Sequence, residues 1–374
     1  AYGQERIAIA STELTPIAMT GSADNRINVV FMQEAYGINK SQFLSDAKML
    51  TENLFDYLPF KNYRSYFNSV SAWVNFKDAK LAFVDTLQKD DLVNQVVGMH
   101  FPKPKSVAVV LINSSRLGSG GGPEGSLIGG VNMFGDYVLR TDEEWKKVFL
   151  HEFGHGFGWL GEEYDGPWTG RYGPDDGITF PNVTAETRRD KIRWKRWIES
   201  DTPIPTPNDP AYKDVIGLFL GAGGQSSGCY RPSYQCMMRN TAYPFCAVCR
   251  EILVRKIYQI VTSIDSAWVN VGETVTTFNV NLLKPEPNTL AVSWQIDGKE
   301  VASGVNSLQV FESSLSYGKH TVKVVVRDTT SFVRDDPQKL LVKTMEWPVV
   351  NSPKPDFNRD GAVNMADFFL FADA

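Results

Sequence analysis

The chain has 374 residues, 43% hydrophobic and 22% charged, with a formal net charge of −5. That length and composition bury a substantial core and suggest two or three domains. Mild acidity, with no Lys/Arg block beyond a short cluster at 188–196, excludes nucleic acid as the expected partner, and no apolar run approaches the roughly 20 residues that span a bilayer.

The opening Ala1-Tyr-Gly-Gln is polar, carries no cleavable signal and reads as a mature chain. The β-branched run 27–32 predicts a buried strand, and apolar residues at helical spacing predict a helix over 40–58. A strand at 69–76, a helix at 90–97 and a second buried strand at 106–112 complete the pattern of an α/β (α+β) catalytic layer. The Gly- and Ser-rich stretch 113–130 predicts a loop, without the Gly-Lys-Ser/Thr of a phosphate-binding loop. Thr141-Asp-Glu-Glu supplies an N-cap residue and an acidic first turn, placing Trp145 to Trp159 on one helix. Gly, Pro and Trp dominate 161–210, which predicts loops around a cleft, and a helix is expected over 251–260. From about 263 to 347 short alternating strands predict an all-β, immunoglobulin-like sandwich, with turns at Asp297-Gly298 and Tyr317-Gly318-Lys319. The expected domains are 1–261, 262–348 and a tail over 349–374 whose first residues, 349–355, form a linker.

His151-Glu-Phe-Gly-His155 carries the chemistry. On a helix, residues i and i+4 share a face, so both imidazoles reach one Zn²⁺ while Glu152 stands beside the bound water as general base. A hydrolytic zinc needs a third protein ligand and an open position. Gly158 falls where the helix can break and return the chain to the metal, the plan of the metzincins, whose third histidine would fall at Gly161. Glycine offers no ligand there, so a carboxylate is expected: Glu163 by preference, Glu162 as the alternative, Asp165 as a weaker candidate. Tyr164 is read as a core residue before a donor to the oxyanion. Met237 and Met238 are candidates for an apolar turn beneath the ligands, with ordinary core packing as the plainer role.

The four cysteines, Cys229, Cys236, Cys246 and Cys249, fall in one short region, which favours two local disulfides in an oxidising compartment. A second zinc site is the rival, but the interval between Cys229 and Cys236 is wider than a usual zinc knuckle. A redox Cys246-Ala-Val-Cys249 lacks a thioredoxin-like context, and free buried thiols are the remaining alternative. Asp356, Asn358, Asp360, the Ala362 carbonyl, Asn364 and Asp367 follow the positions of a Ca²⁺ loop, with Gly361 at its sharp turn. Aspartate at the last position is similar to dockerin repeats. Only one repeat is present, so a calcium-stabilised tail is expected ahead of a cohesin-like or cell-surface partner.

Taken together, the chain resembles the IgA-peptidase family of secreted bacterial metallopeptidases. The resemblance runs through Asp24-Asn-Arg-Ile-Asn-Val-Val-Phe-Met, Pro59-Phe-Lys-Asn-Tyr-Arg-Ser-Tyr-Phe-Asn, the block from His151 to Tyr164, Cys236-Met-Met-Arg and Phe245-Cys-Ala-Val-Cys, covering roughly 24–260. It implies His151 and His155 as zinc ligands, Glu152 as catalytic, and an acid of Glu162-Glu163-Tyr164 as the third ligand. Family members often show Asp-Glu-Tyr at that segment, which favours Glu163. A secreted, extracellular zinc endopeptidase acting on protein or peptide substrates is the expected function. The alternatives are a non-catalytic extracellular binding protein on a retained peptidase fold and a zinc hydrolase of non-peptide bonds.

Overall fold

The computed structural model describes residues 9–34, 36–76, 90–102, 105–113, 118–122, 129–135, 142–166, 180–351 and 365. The chain divides into two compact units, one comprising 1–262, 283–289 and 330–341, the other 263–282, 290–329 and 342–374.

The first unit is built on a six-stranded sheet of β1 (Ile9–Ala18), β2 (Ile27–Glu34), β3 (Phe67–Phe76), β4 (Ser106–Asn113), β5 (Gly118–Gly122) and β6 (Gly129–Gly135). The order is β1-β3-β2-β4-β6-β5. The inner pairs β3/β2, β2/β4 and β4/β6 run parallel, and both edge strands are antiparallel to their neighbours. Every residue of β2 is buried, as a strand covered on both faces requires. Its side chains alternate: Ile27, Val29 and Phe31 join a large cluster with α1 (Lys40–Leu54), α3 (Asp142–Gly158) and α4 (Ala247–Ile260), while Val30 and Met32 join a smaller one with Val93, Val96 and Val97 of α2 (Asp90–His100). The result is three layers with the sheet in the middle. Asn39 starts α1 by accepting from the Gln42 amide. A hairpin of β7 (Ile216–Ala222) and β8 (Gln225–Ser233) completes this unit's regular structure among the described residues.

One sequence expectation is corrected here. The glycine-rich stretch contains strand β5 and the start of β6, because the backbone hydrogen bonds of β6 to β4 and of β5 to β6 need no side-chain pattern. The strand β1 and the β7–β8 hairpin have no counterpart in the sequence reading. Thr141 lies outside the described residues.

The second unit has two antiparallel sheets. One is β13 (Ser307–Phe311), β10 (Val275–Leu282) and β9 (Ile264–Val271); the other is β12 (Lys299–Ser303), β11 (Leu290–Ile296), β14 (Gly318–Asp328) and β15 (Val342–Asn351). Their inner residues share one cluster around Phe278, Trp294, Val322, Val324 and Val326. Asp297 and Gly298 both have positive φ, 52° and 80°, the conformation a two-residue hairpin between β11 and β12 demands. β15 runs through Asn351, so 349–351, read from the sequence as linker, pairs with β14 instead.

No helix among the described residues is long and apolar enough to cross a membrane. Trp294 is fully buried, its indole donating to the Val305 carbonyl at 3.0 Å and stacking on Trp347. Trp294→Ala should therefore lower the stability of this unit by about 3–5 kcal/mol, read as faster amide exchange in β10, β11 and β14.

Candidate metal centre

Helix α3 has two functional faces. Trp145, Phe149, Phe153 and Phe157 recur every fourth residue, none more than 2% exposed, and anchor the helix in the large core. Phe60 meets the rings of Phe153 and Phe157 edge-on, at 5.3 Å and 6.0 Å. Anchored in this way, the helix aims His151 and His155 at a common point, with their Nε2 atoms 3.1 Å apart.

Both imidazoles are held from behind. His151 Nδ1 donates to the Met237 carbonyl at 3.0 Å, and His155 Nδ1 donates to the Leu160 carbonyl at 2.5 Å. With Nδ1 protonated, a neutral ring presents the Nε2 lone pair forward, the arrangement a metal-binding histidine requires. Met238 lies beneath the helix: a Cβ on Gly154 would meet its sulfur at 2.8 Å, so the glycine inside the motif admits the methionine. Met237 and Met238 are both fully buried.

The chain leaves the helix through Trp159, whose φ is +55°, with the Trp159 amide donating to His155 and the Leu160 amide to Gly154. Gly158, expected to break the helix, is its last residue; a Cβ there would meet Leu253 at 2.7 Å. Close packing against α4 explains that glycine, and the turn falls one residue later.

The returning segment brings Glu162 to the histidines. One carboxylate oxygen lies 3.2 Å from His151 Nε2 and the other 3.2 Å from His155 Nε2. Tyr164 donates to the Glu162 carboxylate at 2.8 Å, a contact that orients this acid. Gly161 has no room for a ligand side chain, because a Cβ would lie 2.6 Å from the Phe180 ring. Burial opposes ionisation of Glu162, but hydrogen bonds from His151 and His155 hold its carboxyl well below the usual range. Burial likewise works against a charged His151, yet the hydrogen bond to and charge of Glu162, helped by Glu152 and the Met237 carbonyl, raise it to about 9. The site thus attracts positive charge, proton or metal.

Glu152 is 8% exposed and sits beside His151 on α3, where its charge acts on both His151 and Tyr164. Burial comes first, and the charges of Glu162 and Glu152 add to it, in pushing the Tyr164 phenol well above its ordinary range. Asp165 is exposed and stands outside the histidine group.

Glu163, the sequence's preferred third ligand, points away from the histidines. It is fully buried, accepts from Asn182 Nδ2 and from the Cys249 thiol at 3.0 Å each, and clusters with Cys236, Cys246 and Cys249. Successive side chains of the returning segment diverge, so one acid reaches the histidines and its neighbour cannot. Asn182 fixes this split: it also accepts from the Gly161 amide at 2.7 Å and donates to the Gly161 carbonyl at 2.9 Å. No spacing or composition marks Asn182 in the sequence.

The expected disulfides are corrected as well. All four cysteines are buried free thiols. Cys229 packs with Val183 and Ala222, apart from the other three, so the pairing suggested by chain proximity does not form. The candidate calcium ligands Asp356, Asn358, Asp360, Ala362, Asn364 and Asp367 lie outside the described residues.

The donor set of two neutral imidazole nitrogens and one carboxylate, with edges of 3.1–3.2 Å, fits a zinc ion bonded at about 2.0–2.2 Å. Gly161→Ala should push Phe180 aside and tilt Glu162, weakening zinc binding about tenfold or more in a competition titration against a chelator. Over residues 99–212, a span that holds both histidines, Glu152, Glu162 and Glu163, the chain matches the sequence profile of the family IgA Peptidase M64. No curated protein matches the chain. The family match supports a peptidase hydrolase.

Proposed function

We propose that this protein is a secreted zinc-dependent endopeptidase of metzincin-like build, joined to an immunoglobulin-like sandwich. One observation carries the reading: two imidazole Nε2 atoms and the Glu162 carboxylate converge within 3.2 Å, each ring tied through Nδ1 to a backbone carbonyl, with Glu152 adjacent. Secretion rests on the family resemblance, since the cysteines are unpaired.

His151, His155 and Glu162 would hold the metal. Zinc held by three protein ligands makes water acidic enough to serve as a nucleophile near neutral pH and polarises a carbonyl. Glu152 accepts the proton from the attacking water on its carboxylate and passes it to the departing amine nitrogen. Tyr164 keeps the Glu162 carboxylate turned toward the histidines. Among the described residues strand β5 is one edge of the sheet and packs against α3, the helix that carries the histidines, so it is the strand to which an extended peptide would add by backbone pairing. Backbone pairing of this kind suits a peptide substrate better than a small ester or amide.

Glu152→Gln should retain zinc and lose peptide hydrolysis by about 10²–10⁴-fold, whereas Glu162→Gln should lose zinc and activity together. Metal analysis and hydrolysis of an unfolded protein, with and without chelator, check both. A zinc-loaded native chain as inert as Glu152→Gln across a broad peptide library would instead favour a binding protein.

The tail at 356–367 is proposed to hold Ca²⁺ through the six residues named above. Asp360→Ala should lower the melting temperature in calcium buffer and leave it unchanged in chelator, as followed by calorimetry.

A further inference from the structure

Three thiols and a carboxylate meet in the interior of the first unit, outside the histidine site. Glu163, Cys236, Cys246 and Cys249 are all buried, and one ligand atom from each lies within 4.8 Å of all the others. They come from separate places: the segment after α3, the turn before Met237, the residue that caps α4, and the first turn of α4. Glu163 has no solvent exposure, and while its Oε1 accepts from Asn182 and Cys249, its Oε2 has no hydrogen-bond partner in the structure. A buried, half-satisfied carboxylate is strongly disfavoured in its ionised form unless a cation compensates it.

We propose that Glu163, Cys236, Cys246 and Cys249 form a second, structural zinc site. Tetrahedral zinc with bonds of about 2.3 Å to sulfur separates two thiolates by about 3.8 Å. Cys236 and Cys249 have their sulfurs 3.7 Å apart. A disulfide needs about 2.05 Å and would leave the third thiol unpaired and Glu163 Oε2 still without a hydrogen-bond partner. The Cys246 amide donates to the Cys236 sulfur at 3.4 Å, a contact that stabilises a thiolate. Cys246 and Cys249 have the short spacing of a zinc knuckle, with Cys246 at the start of a helix. Thiolate ligands select zinc over calcium or magnesium. On binding, the three thiols lose their protons to solvent and each sulfur gives a lone pair to the ion, with no change of oxidation state.

The site has a consequence for its neighbour. Glu163 directly follows Glu162, its amide donates to the Met238 carbonyl at 2.9 Å, and Met237, which accepts from His151, directly follows Cys236. An ion held by the cysteines fixes the loop carrying Glu162 and the turn behind His151 in one step. The structural site does not depend on the peptidase reading.

The test uses the full chain, purified with reductant, loaded with zinc and desalted, then loaded in parallel with cobalt(II). Native protein should hold about two zinc equivalents and His155→Ala about one. Both should show an intense thiolate-to-cobalt charge-transfer band, and Cys249→Ser should weaken it, since one of three thiolates is removed. If Cys249→Ser does not fold, the cobalt spectrum of His155→Ala decides. Absence of the thiolate band in His155→Ala overturns the proposal. So does titration of only two thiols, instead of all four, in a second preparation purified without reductant and then denatured. An intact thiolate band in a chain inert toward peptides would refute the peptidase reading and leave this site standing.

Discussion

Two adjacent carboxylates, Glu162 and Glu163, leave bulk water in opposite directions, and each must find compensation for the hydration it loses. Glu162 finds it in two imidazoles and the phenol of Tyr164; Glu163 finds part of it in Asn182 and the Cys249 thiol, both on one oxygen. The surrounding unit can be understood as the scaffold that keeps these two outcomes separate. Gly161, crowded by Phe180 and bracketed by the Asn182 side chain, sets the direction in which each acid departs.

The precision of the histidine site comes from layers that never touch it. β2 is buried on both faces and supports α3 through Phe31 and Phe149, whose ring centroids lie 6.2 Å apart. The aromatic face of α3 fixes its rotation, and the rotation fixes where the imidazoles point. Two carbonyls, one from the distant Met237 and one from Leu160 just past the helix, then choose the tautomer. Neither layer suffices alone: an anchored helix with unrestrained rings would leave the lone pairs free to wander.

Much of this was legible in the sequence. Buried apolar runs located β2 and β4, alternation located β3, the cap and acidic turn located α3, and the histidine spacing located the centre of the site. The Asp297-Gly298 turn was legible because its backbone conformation admits few residue types. What escaped shares a physical cause: it was decided by partners remote in the chain. β5 is nearly all glycine, and only its neighbour β6 makes it a strand. Edge strand β1 mixes exposed and half-buried positions, which dilutes its pattern. Glu162 and Glu163 have the same chemistry, so only Asn182 and the cysteines distinguish them. Cys229 is near Cys236 in the chain, but β8 carries it into another cluster.

The sulfur of Met238, pressed against Gly154, carries a chemical consequence of its own. Methionine sulfoxide needs space and solvent around its added oxygen, and this thioether has neither. Peroxide should therefore spare it in the folded chain and attack only molecules that have opened, so the floor of the site ages with unfolding and not with exposure to oxidant.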